Sequence, residues 1–469
     1  MSETIYTVDQ LAEFTHRATH SNLTAMSSAT LRRNVLDSIA CAIGALDGEP
    51  IPTLRQHAQQ FSGTPSATLV GGGQLSVDQA TFFNSVLVRY PDLLDTYLTV
   101  GGLCHPADNF GAVLAVAEHV GASGSEFLLA LAVAYEIQCR FSAQVPLMAD
   151  GLNHALSLAM SSSAASARLL GLDVSATADA IAAATVDNVS LAAVHAEPVS
   201  NWKGISPAIT AMRAVYTAFL AARGITGPKA VFEGPHGLVQ LLGQPIDFRT
   251  ADTSLDAVQH TYLKQYCSLI HGQAVIDATL EVGANHGISA ADVTRVVVEV
   301  FQGAYDFAGG GAYGDKSHAW TKEQADYNLK YLTAVALLDD AVGPAQLETE
   351  RVRRHDVQDL MQRVEVIAAD DLTAAYPERT SVRLTIVTSD QREFRIEQAD
   401  FEGSPTQPMS WDRVVEKFHW LAEPFCDAAL RDDLIDVVHD LDDATVGDLT
   451  ALLGKVSATP AQRRSRHRL

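Results

Sequence analysis

Residues 206–224 read SPAITAMRAVYTAFLAARG. Small and apolar side chains recur at three- and four-residue spacing, the period of a helix with one buried face. Both ends are marked: Ser206 reads as N-cap with Pro207 at the first helical position, and Arg223 and Gly224 stand at the close. The same texture extends outward. LRRNVLDSIACAIGAL (31–46) stops at Asp47-Gly48, and NFGAVLAVAEHVG (109–121), EFLLALAVAYEIQCRF (126–141) and HALSLAMSSSAASARLLG (154–171) follow the same period. The serines and alanines of the last are small enough to let helices approach closely. From about residue 8 to 265 the chain reads as helical.

Beyond about residue 290 the pattern changes. VTRVVVEVF (293–301) and RVEVIAAD (363–370) read as strands, and SVRLTIVT and REFRIEQA, joined by Ser389-Asp390-Gln391, read as a hairpin over 381–399. Helical patterning returns from Pro408. The fold class expected is mainly α with an α/β part: a large all-helical domain plus a smaller α+β lid domain. Residues 1–265 supply the N-terminal part of the helical domain and 266–404 the lid. Residues 405–469 are expected to be C-terminal helices packing back on the helical domain. The basic tail QRRSRHRL reads as a frayed terminus.

Hydrophobic residues make up 47% of the 469 residues and charged residues 19%, the balance of a packed globular protein. A net charge of -23 argues against nucleic acid or an anionic membrane as partner. The five cysteines are scattered and form no C-x-x-C, so neither a disulfide framework nor a metal site is indicated. MSETIYTVDQ lacks the blocks of a signal peptide, and runs such as FLLALAVAY (127–135) are too short to span a bilayer. A cytoplasmic protein is expected.

Gly309-Gly310-Gly311-Ala312-Tyr313-Gly314 matches G-x-G-x-x-G, but no amphipathic helix follows and no acidic strand end comes about twenty residues later. Dinucleotide binding is not expected. Three other places put polar groups just ahead of a helix start: His105-Pro106-Ala107-Asp108, Ser200 to Gly204 with Lys203, and Lys264-Gln265-Tyr266-Cys267, where Ser268 caps a helix with His271 in its first turn and Gln273 soon after. Unpaired N–H groups and the positive end of the dipole make each a ready anion site. Taken singly, each lysine reads as a surface charge and each histidine as a capping or packing residue. Spacing along the chain does not show that they converge.

VDQATFFNSVLVRYPDLLDTY (77–97) with HPADN (105–109), NWKG (201–204), LKQYCSLIHGQAVIDATLE (263–281) and KSHAWTKEQADYNLKYLTAVALLDD (316–340) together resemble the MmgE/PrpD family, in order and over about residues 8–455. The resemblance implies a helical domain with an α/β lid, a homodimer, a site between the two domains, and no metal or organic cofactor. It implies a small-molecule tricarboxylate as substrate. Asp92, Thr96 and His105 match the family's acidic-loop and His-Pro positions. Lys203 and Lys264 match its two lysines, Tyr313 a substrate-contacting tyrosine of the decarboxylase branch, and His154 lies near a histidine of that branch. Two departures bear on the substrate: the loop reads Asp92-Leu93-Leu94-Asp95-Thr96, without the family's middle polar residue, and Cys267 replaces a proline.

The implied chemistry is acid/base catalysis by a lyase. Lys203 and Lys264 would hold a carboxylate while charge builds on it. His105 would act as base, or as acid to a leaving hydroxyl. Asp92 and Asp95 would orient the imidazole, the glycines between letting the chain bend to bring them together. Thr96, Asp95, Tyr313, Lys316, His154, His271 and Gln273 are the substrate-binding candidates. HPADN and the run from Asp315-Lys316 to Trp320 and Asp326 favour dehydration of 2-methylcitrate or citrate, while Tyr313 favours decarboxylation of cis-aconitate. Epimerisation of an iminodisuccinate and a non-catalytic binding scaffold are the further alternatives.

Overall fold

The computed structural model describes residues 5–248 and 252–460. The elements that position the site are the helices α1 (Ala25–Gly44), α2 (Val77–Arg89), α3 (Phe110–Val120), α4 (Gly124–Gln144), α5 (Ala155–Leu169), α6 (Val174–Asp187) and α7 (Trp202–Ala221), then α8 (Gln273–His286), α9 (Leu329–Asp339) and α10 (Trp411–Ala422). A short hairpin, β1 (Tyr97–Thr99) and β2 (Gly102–Cys104), interrupts the helices. The lid carries β3 (Val293–Val300), β4 (Val364–Ala368), β5 (Val382–Thr388) and β6 (Glu393–Gln398). The protein is mainly α with two domains, and no helix among the described residues is long and apolar enough to cross a membrane.

In the helical body α5 is the hub, packed against α4, α6 and α7, while α2 lies along α7 and α3. Ser157, Ser161, Ser162, Ser163 and Ser166 of α5 are all buried. Small residues let neighbouring backbones come close, and the serine hydroxyls remain satisfied: Ser163 and Ser166 donate back to carbonyls of their own helix, and Ser161 and Ser162 donate to Asn109. In the lid, β3 pairs parallel with β4 and antiparallel with β5, and β5 with β6, giving the order β4-β3-β5-β6. The four strands expected at 293–301, 363–370 and 381–399 are present. α8 packs on β5 and β6 and α9 on β4, so one sheet face is covered by helix. No helix follows Gly314 until the short turn Lys322–Ala325, and past Gly309, which closes a π-helical turn, the glycine-rich stretch is loop. The tail QRRSRHRL lies outside the described residues.

One boundary differs from expectation in a way that matters. α7 begins at Trp202 rather than at Ser206, with Pro207 inside it. Proline removes only the helical bond to the carbonyl of Lys203. The turn ahead of it is held independently by Lys203 N–H on Ser200 (3.1 Å) and Gly204 N–H on Asn201 (3.0 Å). Lys203 therefore sits in a helical turn, not in a loop.

α10 returns from the C-terminal segment to lie along α1. Its Lys417, 0% exposed, pairs with Asp37 of α1 at 2.5 Å. The same ammonium donates to the carbonyls of Leu93 (3.0 Å) and Lys264 (2.8 Å), joining the acidic loop to the start of the lid. Removing one partner of a buried pair leaves an uncompensated charge, so Lys417→Met should lower unfolding free energy by about 3–5 kcal/mol in urea titrations. The double variant Asp37→Leu/Lys417→Met should recover most of that loss. A single variant as stable as wild type would show that this tie does not hold the joint.

Candidate active site

β1 and β2 pair with Tyr97 opposite Cys104 and Thr99 opposite Gly102, the turn closing through Gly101 at φ +84°. Extending that register by one residue sets Thr96 against His105. The Thr96 hydroxyl is 3.1 Å from His105 Nδ1, and the main-chain carbonyl of Asp95 is 2.7 Å from it. A carbonyl only accepts, so Nδ1 carries the ring proton and Nε2 keeps its lone pair. The expectation that Asp92 and Asp95 orient the imidazole is corrected: neither carboxylate bonds it, and the Asp95 main-chain carbonyl takes that place because the hairpin register brings it to Nδ1. The Asp95 carboxylate instead accepts from the Ala107 N–H (2.9 Å), the Tyr135 hydroxyl (2.7 Å) and the Asn34 amide (3.1 Å).

Asp92 has a different task. It adopts φ +51°, a left-handed conformation that aspartate tolerates better than most residues. Its carboxylate meets Arg89 at 3.1 Å, Lys203 at 3.0 Å and Lys264 at 2.7 Å. Lys264 reaches it because Thr96 and Tyr262 form a two-bond antiparallel bridge, with N···O distances of 2.9 and 2.7 Å. Lys203 also pairs with Asp326 at 2.6 Å, and Lys322 pairs with the other oxygen of Asp326 at 2.7 Å. Four cations thus share two carboxylates, and all six groups are buried. Within a chain of net charge -23, this spot gathers four buried cations, with buried Asp108 and Glu323 also close to them.

Beside the cluster lies a cavity lined by His105, His195, His271 and Lys264, with Phe307 and Tyr327 among its walls. Its open space is about 10 Å³, enough for roughly one water molecule. Burial pushes the His105 imidazolium well below its ordinary range, and the charges of Arg89 and Lys264 act in the same direction. His195 is lowered well below by burial and the charges around it, and His271 falls to about 3 through burial and Lys264. All three imidazoles are neutral near neutral pH. Burial alone would raise Asp92, but Lys264, Lys203 and Arg89 outweigh it and hold the carboxylate well below the usual range. Asp95, with no such cations bonded to it, is raised by burial to about 7.

The structure gathers some of the candidate residues and sets others aside. His105, Lys264 and His271 line the cavity. Lys203 lies behind it, its ammonium 3.9 Å from the ring centre of Tyr327. His154 packs edge-on to His105, ring centres 5.1 Å apart, and reaches Asp108 at 3.3 Å. Tyr313 stacks on Phe307 at 4.3 Å. Lys316 pairs with Glu197 at 2.6 Å. Thr96 is fully buried and faces Nδ1 of His105, away from the lone pair. Gln273 clamps the turn before α8, accepting from the N–H groups of Gln265 and Tyr266 and donating to Ser268 and the Tyr266 carbonyl. Sequence reasoning passed over Arg89, His195, Lys322 and Tyr327. A signal existed for Arg89, a lone cation at the end of the apolar run VLVRY, and for Lys322 with Asp326, an i,i+4 pair. None marks His195. Among the described residues, no group of three or more His, Cys, Asp or Glu side chains is placed to hold a metal ion.

Comparison with known proteins bears on the family of the chain. The family model of the MmgE/PrpD N-terminal domain matches residues 9–251, and that of the MmgE/PrpD C-terminal domain matches residues 266–443. The 2-methylcitrate dehydratase of Cupriavidus necator is 26% identical over 385 residues, 77% of this chain and 78% of its own length. The 2-methylcitrate dehydratase of Escherichia coli K12 is 25% identical over 369 residues, 74% of this chain and 75% of its own. The cis-aconitate decarboxylase of Mus musculus is 24% identical over 456 residues, 90% of this chain and 88% of its own.

A histidine held neutral makes the fold sensitive to acid. Between its lowered folded value and the ordinary 6.5, the unfolded chain binds the extra proton, so stability is complete above about pH 6.5 and falls as pH drops. Each such group contributes a slope of about 1.4 kcal/mol per pH unit. Asp95, raised to about 7, opposes them with one slope of opposite sign. His271→Gln should therefore flatten the decline of unfolding free energy between pH 6 and 4 by about 1.4 kcal/mol per unit. Parallel urea titrations at pH 4.5 and 5.5 check this, and equal slopes in the two proteins would refute it.

Proposed function

The chain belongs to the MmgE/PrpD family, and on that footing we propose that it is a lyase acting on a branched tricarboxylate, most simply one that dehydrates 2-methylcitrate or citrate. The dehydratase and decarboxylase names of its relatives support the lyase class. The observation that carries the reading is a concentration of buried cations, Lys264 at the cavity wall among them, beside an imidazole whose lone pair is free. A polyanion is the ligand such a site favours against the repulsion of the whole chain.

In the proposed reaction Lys264, the cation at the cavity wall, draws a substrate carboxylate to the edge of the cluster. His105 Nε2 takes the proton from the carbon next to that carboxylate. The electron pair of the broken C–H bond moves into the carboxylate, where Lys264 meets the growing charge. The pair then returns to form the carbon–carbon double bond as the C–O bond breaks. The hydroxyl leaves as water with the proton handed back by His105. Asp92 positions the cations: its carboxylate holds Lys203 and Lys264 at fixed places. The narrow cavity implies that substrate enters as the lid segment bearing Leu269, Ile270 and His271 parts from the body. The stack of Tyr313 on the cavity wall Phe307 favours the decarboxylase as second reading. There the same cations would hold the carboxylates that remain after CO₂ leaves.

A screen of citrate, 2-methylcitrate, cis-aconitate and an iminodisuccinate-generating mixture, read by ultraviolet absorbance and CO₂ release, tests the reading. Absorbance from a conjugated double bond should grow with 2-methylcitrate, without added metal and in the presence of a chelator. CO₂ from cis-aconitate without dehydration would transfer the assignment to the decarboxylase. His105→Gln and Lys264→Met should each lower kcat by at least about 10²-fold with the protein still folded. Wild-type rates in either variant would count against these roles for the imidazole and the ammonium.

A further inference from the structure

His195 stands in the short turn Ala192–His195 and is 3% exposed. Its ring lies parallel to Tyr327, centres 5.4 Å apart, and edge-on to Phe307 at 6.1 Å. Nε2 is 2.9 Å from the side-chain amide nitrogen of Asn153. The orientation of that amide is settled by its other end, where Oδ1 accepts from the Ala155 N–H at 2.9 Å. The Asn153 segment is tied in turn to the chain just ahead of the His195 turn, its N–H donating to the Ser190 carbonyl at 2.8 Å. An amide nitrogen only donates, so Nε2 must accept and the ring proton must sit on Nδ1. That Nδ1 has no hydrogen-bond partner in the protein although it is buried. A buried N–H left unpaired is costly, and such an orphan calls for an explanation.

The ring lines the same cavity as His105 and Lys264. We propose that His195 is a second substrate-contacting histidine, donating its Nδ1–H to the carboxylate oxygen that gains charge when His105 removes the carbon-bound proton. This rests on the lyase reading above. The two imidazoles then have complementary tasks set by what holds the far nitrogen of each. A carbonyl behind His105 turns a lone pair to the cavity, and an amide N–H behind His195 leaves an N–H to offer. A neutral imidazole donor stabilises developing charge without giving up its proton, so no further acid or base is needed.

Two variants and a spectrum test this. His195→Phe keeps the ring face against Tyr327 and loses the donor; with 2-methylcitrate or cis-aconitate, whichever is turned over, kcat should fall about 10²-fold with KM changing far less. His195→Asn places an amide N–H near the Nδ1 position and should regain about tenfold or more of that loss. Wild-type turnover in His195→Phe, or His195→Asn no faster than His195→Phe, would overturn the proposal. Nitrogen-15 spectra of histidine-labelled protein should show His195 as the Nδ1–H tautomer, with that resonance shifting when tricarballylate, an unreactive tricarboxylate, is added. An Nε2–H tautomer, or a resonance that tricarballylate leaves unmoved, would overturn it independently of turnover. Failure of the wild type to turn over any of these acids would instead sink the lyase reading, and the spectrum alone would then decide the role of His195.

Discussion

The structure is organised around a single carboxylate. Asp92 receives Arg89 from the end of α2, Lys203 from the first turn of α7 and Lys264 from the chain entering the lid. Taking any one of these charges out of water alone would cost several kcal/mol after relaxation. Each is tolerable only because the others are present. A substitution at any corner disturbs the partners of the others, so the cluster acts as one unit joining body and lid. Lys417 reinforces the same joint from behind by holding the carbonyls of Leu93 and Lys264.

The cluster also creates the electrostatic setting of the cavity. Burial first, and then the nearby charges of Arg89, Lys203 and Lys264, hold His105, His195 and His271 below the ordinary imidazole range. A histidine in this setting works through the nitrogen that its neighbour leaves free, so hydrogen bonds away from the cavity determine what it can do inside. The β1–β2 hairpin supplies that control for His105 through the Asp95 carbonyl. Asn153 supplies it for His195. Asp95 illustrates the converse: with hydrogen-bond donors but no bonded cation, it is a pin between α1, α4 and the His-Pro turn rather than an anionic partner.

Much of the fold was legible in the chain because its signals are local. The three- and four-residue spacing of α4 and α5 and the alternation of β5 need only a dozen neighbouring residues to be read. Gly224 at φ +85° ends the α7 segment close to where its glycine predicted. Pro207 misled, since proline is informative about its own missing N–H but not about bonds made by Lys203 and Gly204 upstream. The hairpin at 97–104 escaped notice because three-residue strands carry too little pattern, and its glycines read only as bend.

The residue types of the site were equally visible: a His-Pro turn, two lysines ahead of helices, an acidic loop. Sequence alone determined that these groups exist, and that the chain has a helical body with a strand-bearing lid, because periodicity and residue chemistry are written along the backbone. Tertiary structure decided which of them meet. Asp92 and Lys264 are 172 positions apart, and Lys203 and Asp326 are 123 apart, so only packing brings each pair together. It also assigned Asp92 to the lysines rather than to the imidazole, brought unmarked His195 to the cavity, and set which nitrogen of His105 and of His195 is held by a neighbour. Those outcomes depend on hydrogen-bond distances between segments remote in the chain, and no local pattern encodes such distances.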